Sequence, residues 1–113
     1  MNKINIEKVD DSYIYHIVED ATLQVKGVSQ MAPMLIQSFP KSILGKEFNV
    51  GRSVKIYRRE QSLKIEVYIL VEFGVKIPEL AWTLQRVIKN QLEKRIENVN
   101  IDAIDIHVQG INY

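Results

Sequence analysis

The chain contains no cysteine, which excludes disulfides, thiolate metal sites and cysteine nucleophiles. Its five glycines, at 27, 45, 51, 74 and 110, are too scattered for a phosphate-cradling loop, and there is no G-x-S-x-G elbow. Charge of one sign is lacking as well. Fifteen Lys and Arg face fourteen Asp and Glu, so no global basic field calls for nucleic acid or an anionic membrane. No apolar run approaches the roughly 20 residues of a membrane span. The start, Met1-Asn-Lys-Ile-Asn-Ile-Glu, has no apolar signal region. These absences lead us to expect a cytoplasmic protein without direct membrane insertion. Its 113 residues suit one domain, 1–113, able to bury roughly two-thirds of its unfolded surface.

What is present is pattern. Leu63, Ile65, Val67, Ile69, Val71 and Phe73 alternate with Lys64, Glu66, Tyr68, Leu70 and Glu72. A period of two predicts a strand whose odd positions are buried and whose even positions face away. Gly74 breaks it. From Ile77 onward, Leu80, Ala81, Leu84, Val87, Ile88, Leu92 and Ile96 fill one side of a helix at roughly 100° per residue. Pro78 suits the first helical position and Glu79 the positive helix start.

The rest completes this layer pair. Lys3–Val9 alternates as a short edge strand. Asp10, Asp11 and Ser12 offer N-cap oxygens for a first amphipathic helix over Ser12–Val25, with Ile14, Ile17, Val18 and Ala21 inward, His16 and Leu23 outward, and Gly27 at its left-handed end. Residues 29–51 are irregular yet apolar, read as short helices over the core or as a partner-binding flap. Val54–Arg59 pairs with the central strand as a hairpin. After a turn at Asn98 and Asn100, Ile104, Ile106 and Val108 define a closing strand that stops at Gly110. A strand, helix, strand order requires this last strand to run parallel to the central one. The fold class is α+β: a three- to four-stranded mixed sheet with two amphipathic helices on one face, in α-β-β-α-β order.

Chemistry finds little support. His16 and His107 lie on different elements, with no metal-ligand spacing. Asp102 points opposite to Asp105 and His107, which leaves an Asp105–His107 surface pair. No catalytic, cofactor-binding or metal-binding residue is nominated, and no cofactor. The outward sheet face, which His107 shares, reads either as a solvated face of an open sheet or as an interface whose desolvated centre is supplied by Tyr68 and Leu70. Trp82 sits roughly 160° around its helix from Leu84, opposite the apolar stripe. Arg86, four residues on, can lie over the indole. Trp82→Ala should leave folding nearly intact and weaken association.

The run Val67-Tyr-Ile-Leu-Val-Glu72-Phe73-Gly74-Val-Lys-Ile-Pro78-Glu79-Leu80-Ala81 resembles the strand–turn–helix signature of the alkaline shock protein family, the bacterial general-stress and cell-envelope-stress group also called Gls. Gln85, Val87 and Ile88 resemble its second helix. Ile104-Asp-Ile-His107-Val-Gln-Gly110-Ile111 resembles its closing strand, and Val25–Val28 its first helix end. Segment 29–51 departs from the pattern. The resemblance implies a non-enzymatic stress protein that works through protein partners, forms homo-oligomers and is held near the membrane by an anchored relative. Two other readings compete. A nucleic-acid module of KH-like order would need a basic groove, and only Arg52, Lys55, Arg58 and Arg59 cluster. A soluble regulator of a cytosolic biosynthetic enzyme is the other.

Overall fold

The strands and helices follow from that alternation, with two short strands, Val28–Met31 and Ile96–Glu97, that the sequence did not announce. The computed structural model describes residues 2–32 and 53–113. In chain order these form β1 (Ile4–Asn5), α1 (Asp11–Leu23), β2 (Val28–Met31), β3 (Val54–Arg59), β4 (Ser62–Glu72), α2 (Ile77–Arg95), β5 (Ile96–Glu97) and β6 (Asn100–Asn112). The fold is α+β. A mixed four-stranded sheet is built from β2, β3, β4 and β6, and β1 and β5 form a separate parallel pair.

β4 is the centre. Leu63, Ile65, Val67, Ile69 and Val71 are all fully buried. They meet Ile14, Ile17, Val18 and Ala21 of α1 and Leu80, Leu84, Ile88 and Leu92 of α2 in one core. Full burial of such side chains stabilises the fold by roughly 1.5–3 kcal/mol each. Phe73 breaks the expected alternation and is 71% exposed. The strand ends at Glu72, and Gly74, at φ +90°, turns the chain away before Phe73 can join the inward face.

On one side of β4, β6 runs parallel to it along its whole length, from Ser62↔Asn100 to Glu72↔Asn112. β6 is longer than the alternation suggested and passes through Gly110. It carries two bulges, at Asp102 and Gln109, where one extra residue interrupts the register. The other side of β4 is shared. β3 pairs antiparallel with its first half and β2 with its second. The two meet at Tyr68, whose N–H donates to the Ser53 carbonyl while its own carbonyl accepts from Ala32 N–H, both at 2.8 Å. In an antiparallel ladder a single residue would supply both of those groups. β2 and β3 therefore act as one edge strand, interrupted between Ala32 and Ser53. The apolar segment 29–51 accordingly begins as strand, and its remainder lies outside the described residues.

The ends of the elements follow local chemistry. The Asp10 carboxylate accepts from Tyr13 N–H at 2.9 Å and caps α1. α1 ends at Leu23, so Gly27 is not its C′ residue. Gly27 instead takes φ +107° in the following turn, where its carbonyl accepts from Glu72 N–H. Pro78 is the second residue of α2 rather than the first, because Lys76 is the cap. The hairpin turns through Glu60 in a left-handed conformation, φ +58°.

The parallel course of β4 and β6 gives the molecule two distinct ends. At the lower end lie β1, β5, the start of α1 and the β3–β4 turn. The upper end gathers the end of α1, the start of β2, the ends of β4 and β6, and the start of α2.

Candidate interaction surfaces

The outward face of the sheet is a linked set of side chains, not a loose solvated surface. Register places Tyr68 opposite His107. Directly opposed residues sit close enough for rings to stack, and these two do, with centroids 4.5 Å apart and planes 11° from parallel. The stack leaves Tyr68 only 8% exposed, so the expectation of an open tyrosine is corrected. Glu66, on the same face, holds His107 Nε2 at 3.1 Å and accepts a longer bond from the Tyr68 hydroxyl. The expected Asp105–His107 pair does not form. Asp105 lies opposite Glu66 in the register and reaches diagonally to Lys64, at 3.9 Å.

Tyr57, from β3, completes the cluster. Its hydrogen bond, more than that of His107, holds the Glu66 carboxyl below the usual carboxylate range against the opposing effect of burial. The same bond raises the Tyr57 hydroxyl, while Tyr68 is raised first by burial and then by the Glu66 charge. Lys64 lies over the Tyr57 ring, 5.6 Å from its centroid. Leu70 is half-buried, and its side chain fills the space a Cβ on Gly110 would need. Sequence reasoning placed Tyr68, Leu70 and His107 on this face but did not name Tyr57 as a partner of Glu66.

Trp82 and Arg86 stand elsewhere, on α2, away from this cluster. Trp82 is 61% exposed. The Arg86 guanidinium lies 4.8 Å from the ring centroid, in the position the i, i+4 spacing foresaw. An open depression of about 440 Å³ lies beside the indole, lined by Pro78, Glu79 and Thr83. Of the basic residues of the hairpin, by contrast, Arg58 is committed within the fold. Arg58 turns inward and donates to the carbonyls of Val9 and Ile6, at 2.6 and 2.7 Å, with Asp11 at 3.3 Å. Arg52 lies outside the described residues. Among the described residues no three His, Asp or Glu side chains gather in a way that could hold a metal ion. None of their helices is long and apolar enough to cross a membrane.

A small helix-on-sheet layer with knitted polar and aromatic surfaces is the class of protein these features define. The whole chain, residues 1–113, belongs to the alkaline shock protein 23 family, which is described by a cell envelope-related function. Among curated proteins it is similar to the uncharacterised Spy1535 of Streptococcus pyogenes, 33% identical over 80% of this chain and 67% of the relative. It is also similar to the uncharacterised YqhY of Bacillus subtilis, 32% identical over 82% and 67%. YloU of the same bacterium is 29% identical over 91% and 85%. No solved structure matches the chain.

Proposed function

We propose that the chain serves the envelope-related role of its family by binding other proteins, without enzymatic chemistry of its own. The observation that carries this reading is Trp82. The inward side of α2 is sealed by Leu84, Ile88 and Leu92, yet the largest side chain of the helix stands in solvent, steadied by Arg86 beside an open depression. A tryptophan displayed in this way is the residue type that dominates binding energy at protein interfaces. The chain also self-associates, and an anchored relative holds it at the cytoplasmic side of the membrane. The inward turn of Arg58 weakens the nucleic-acid reading, since it removes one cation from the hairpin cluster.

Photo-crosslinking in cells tests this. A photoreactive residue in place of Pro78, in the depression beside the indole, should capture a protein from the membrane fraction. Trp82→Ala should abolish that product without lowering the melting temperature. An unchanged product, or a variant that is badly destabilised, rejects the reading.

A further inference from the structure

Exposed apolar side chains are not spread evenly over the molecule. Phe73, Ile77, Ile111 and Tyr113 are 71%, 38%, 44% and 91% exposed, and all four lie on segments that meet at the upper end. Backbone pairing brings these segments together: Phe73 N–H donates to the Asn112 carbonyl, and the Phe73 and Tyr113 rings lie 5.2 Å apart. Leu23, 47% exposed at the end of α1, stands on the same end. Beside them opens a groove of about 330 Å³ whose apolar lining is Val25, Val75 and Leu80.

From this arrangement we infer that the upper end joins two copies of this chain about a two-fold axis, each copy's Phe73 entering the other's groove. The inference rests on the self-association proposed above and assigns the surface for it. Three observations select a second copy as the occupant. The first is charge. Lys26 and Lys76 share the rim of the groove with Glu72 and Glu79, all four exposed. A rim with two charges of each sign suits neither an acidic nor a basic surface, but it complements itself when a two-fold axis sets each Lys against a Glu.

The second is area. With large side chains of roughly 150–250 Å² each, the quoted exposures leave on the order of 550 Å² of apolar surface per copy. That is at the top of what an ordinary monomer shows, about 300–600 Å². Two such surfaces with their charged rims reach the roughly 1,200–2,000 Å² of a stable interface. The third is the contrast with the free edge of β6, another route by which copies could join. β6 carries two bulges and the charges of Asp102 and Asp105, devices that discourage strand pairing. The upper end has no such guard.

Sedimentation of the full chain over a concentration series tests the inference. The chain should form a dimer, and Phe73→Asp should weaken it by at least about tenfold in Kd. Tyr57→Asp, a matched change on the sheet face, should not. Lys26→Glu/Lys76→Glu and Glu72→Lys/Glu79→Lys should each weaken the dimer, and an equimolar mixture of the two variants should restore it. Circular dichroism melts confirm that each variant is folded. A dimer indifferent to Phe73→Asp and to both charge reversals overturns the surface while leaving self-association standing. A monomer at every concentration overturns both, and the Trp82 crosslink then judges partner binding by itself. Binding of a monomeric chain to neutral phosphatidylcholine vesicles, lost with Phe73→Asp, would assign the end to lipid and overturn the dimer.

Discussion

The two ends of the molecule are built from the same layers and behave as opposites. At the lower end the chain closes on itself. β1 pairs with β5 across 92 residues of sequence, Ile4↔Ile96, and Ile6 and Ile96 are buried to 0% and 1% exposure. Arg58 reaches from the hairpin and ties down two carbonyls of the N-terminal segment. At the upper end the connections are local turns, two of them through glycines at positive φ, and large apolar side chains are left outside. The difference sets the end that holds the chain together apart from the end proposed above for association. Short turns serve both ends, and the upper end has its own long-range bond, Asn112 to Ser29 at 2.8 Å, so the distinction lies in the large apolar side chains that the upper end leaves outside.

The largest effect should come from breaking the closed end. Ile6→Ala removes a fully buried core side chain from the segment that Arg58 ties down. A loss of about 2–4 kcal/mol in denaturant unfolding is expected, because a cavity replaces packed atoms. Phe73→Ser at the open end deletes a larger ring, yet the folded monomer should change by less than about 0.5 kcal/mol. Equal losses at the two positions would remove the distinction between the ends.

Arg58→Met is the next test. The aliphatic stem is kept while the charged bonds to the Val9 and Ile6 carbonyls are lost. With the side chain 26% exposed, water replaces part of each bond, and about 2 kcal/mol of destabilisation is expected. Asp11→Asn should cost less than about 0.5 kcal/mol, since its carboxylate is 57% exposed and the ion pair is screened. If Asp11→Asn costs as much as Arg58→Met, the ion pair and not the carbonyl tie closes the lower end.

A smaller pair of changes sharpens the picture of the open end. Gly27 and Gly74 both sit at positive φ, +107° and +90°. A Cβ on Gly27 would press Val75 at 3.2 Å and Leu80 at 3.3 Å, whereas one on Gly74 meets nothing within 4 Å. Gly74→Ala therefore carries backbone strain alone, about 1 kcal/mol, and Gly27→Ala should cost about 1 kcal/mol more. Equal costs in thermal melts would mean that the groove wall yields freely.

How much of this could be read from residues alone follows from what sets each feature. The odd side of β4, the stripe of α2 and the parallel partnership of β6 were legible, because one sealed face imposes a period on the sequence. β2 was not. Val-Ser-Gln-Met is four residues without alternation, and its place comes from pairing with Val71, Leu70 and Ile69. Phe73 was misplaced because parity was carried one residue past the end of pairing. Trp82 over Arg86 was legible, since helical geometry alone brings them together. The Tyr68–His107–Glu66 cluster was legible only as a shared face. Its pairings depend on a register with two bulges, which no local pattern encodes.

That cluster gives the smallest expected effect, and it tests whether the middle of the sheet resembles the closed end or the open one. Glu66 titrates below its ordinary value of 4.5 when folded, chiefly because Tyr57 donates to it. Its contribution to stability is therefore in place above the ordinary range and lost as pH falls through the lowered value. Tyr57 and Tyr68 titrate above their ordinary 10.0. Their contribution is whole below pH 10 and disappears as pH rises through the raised values. Melting temperature should thus hold a plateau between these limits and fall on both sides. Tyr57→Phe removes the principal donor to Glu66, so it should soften the acid limb and leave on the alkaline limb only what Tyr68 contributes. An acid limb unchanged in Tyr57→Phe would show that His107, and not the tyrosine, secures the carboxylate. Because Tyr57 is 46% exposed, water can replace its bond to Glu66, so the difference should be small. A loss as large as that of Arg58→Met would instead place the cluster with the sealed end of the molecule.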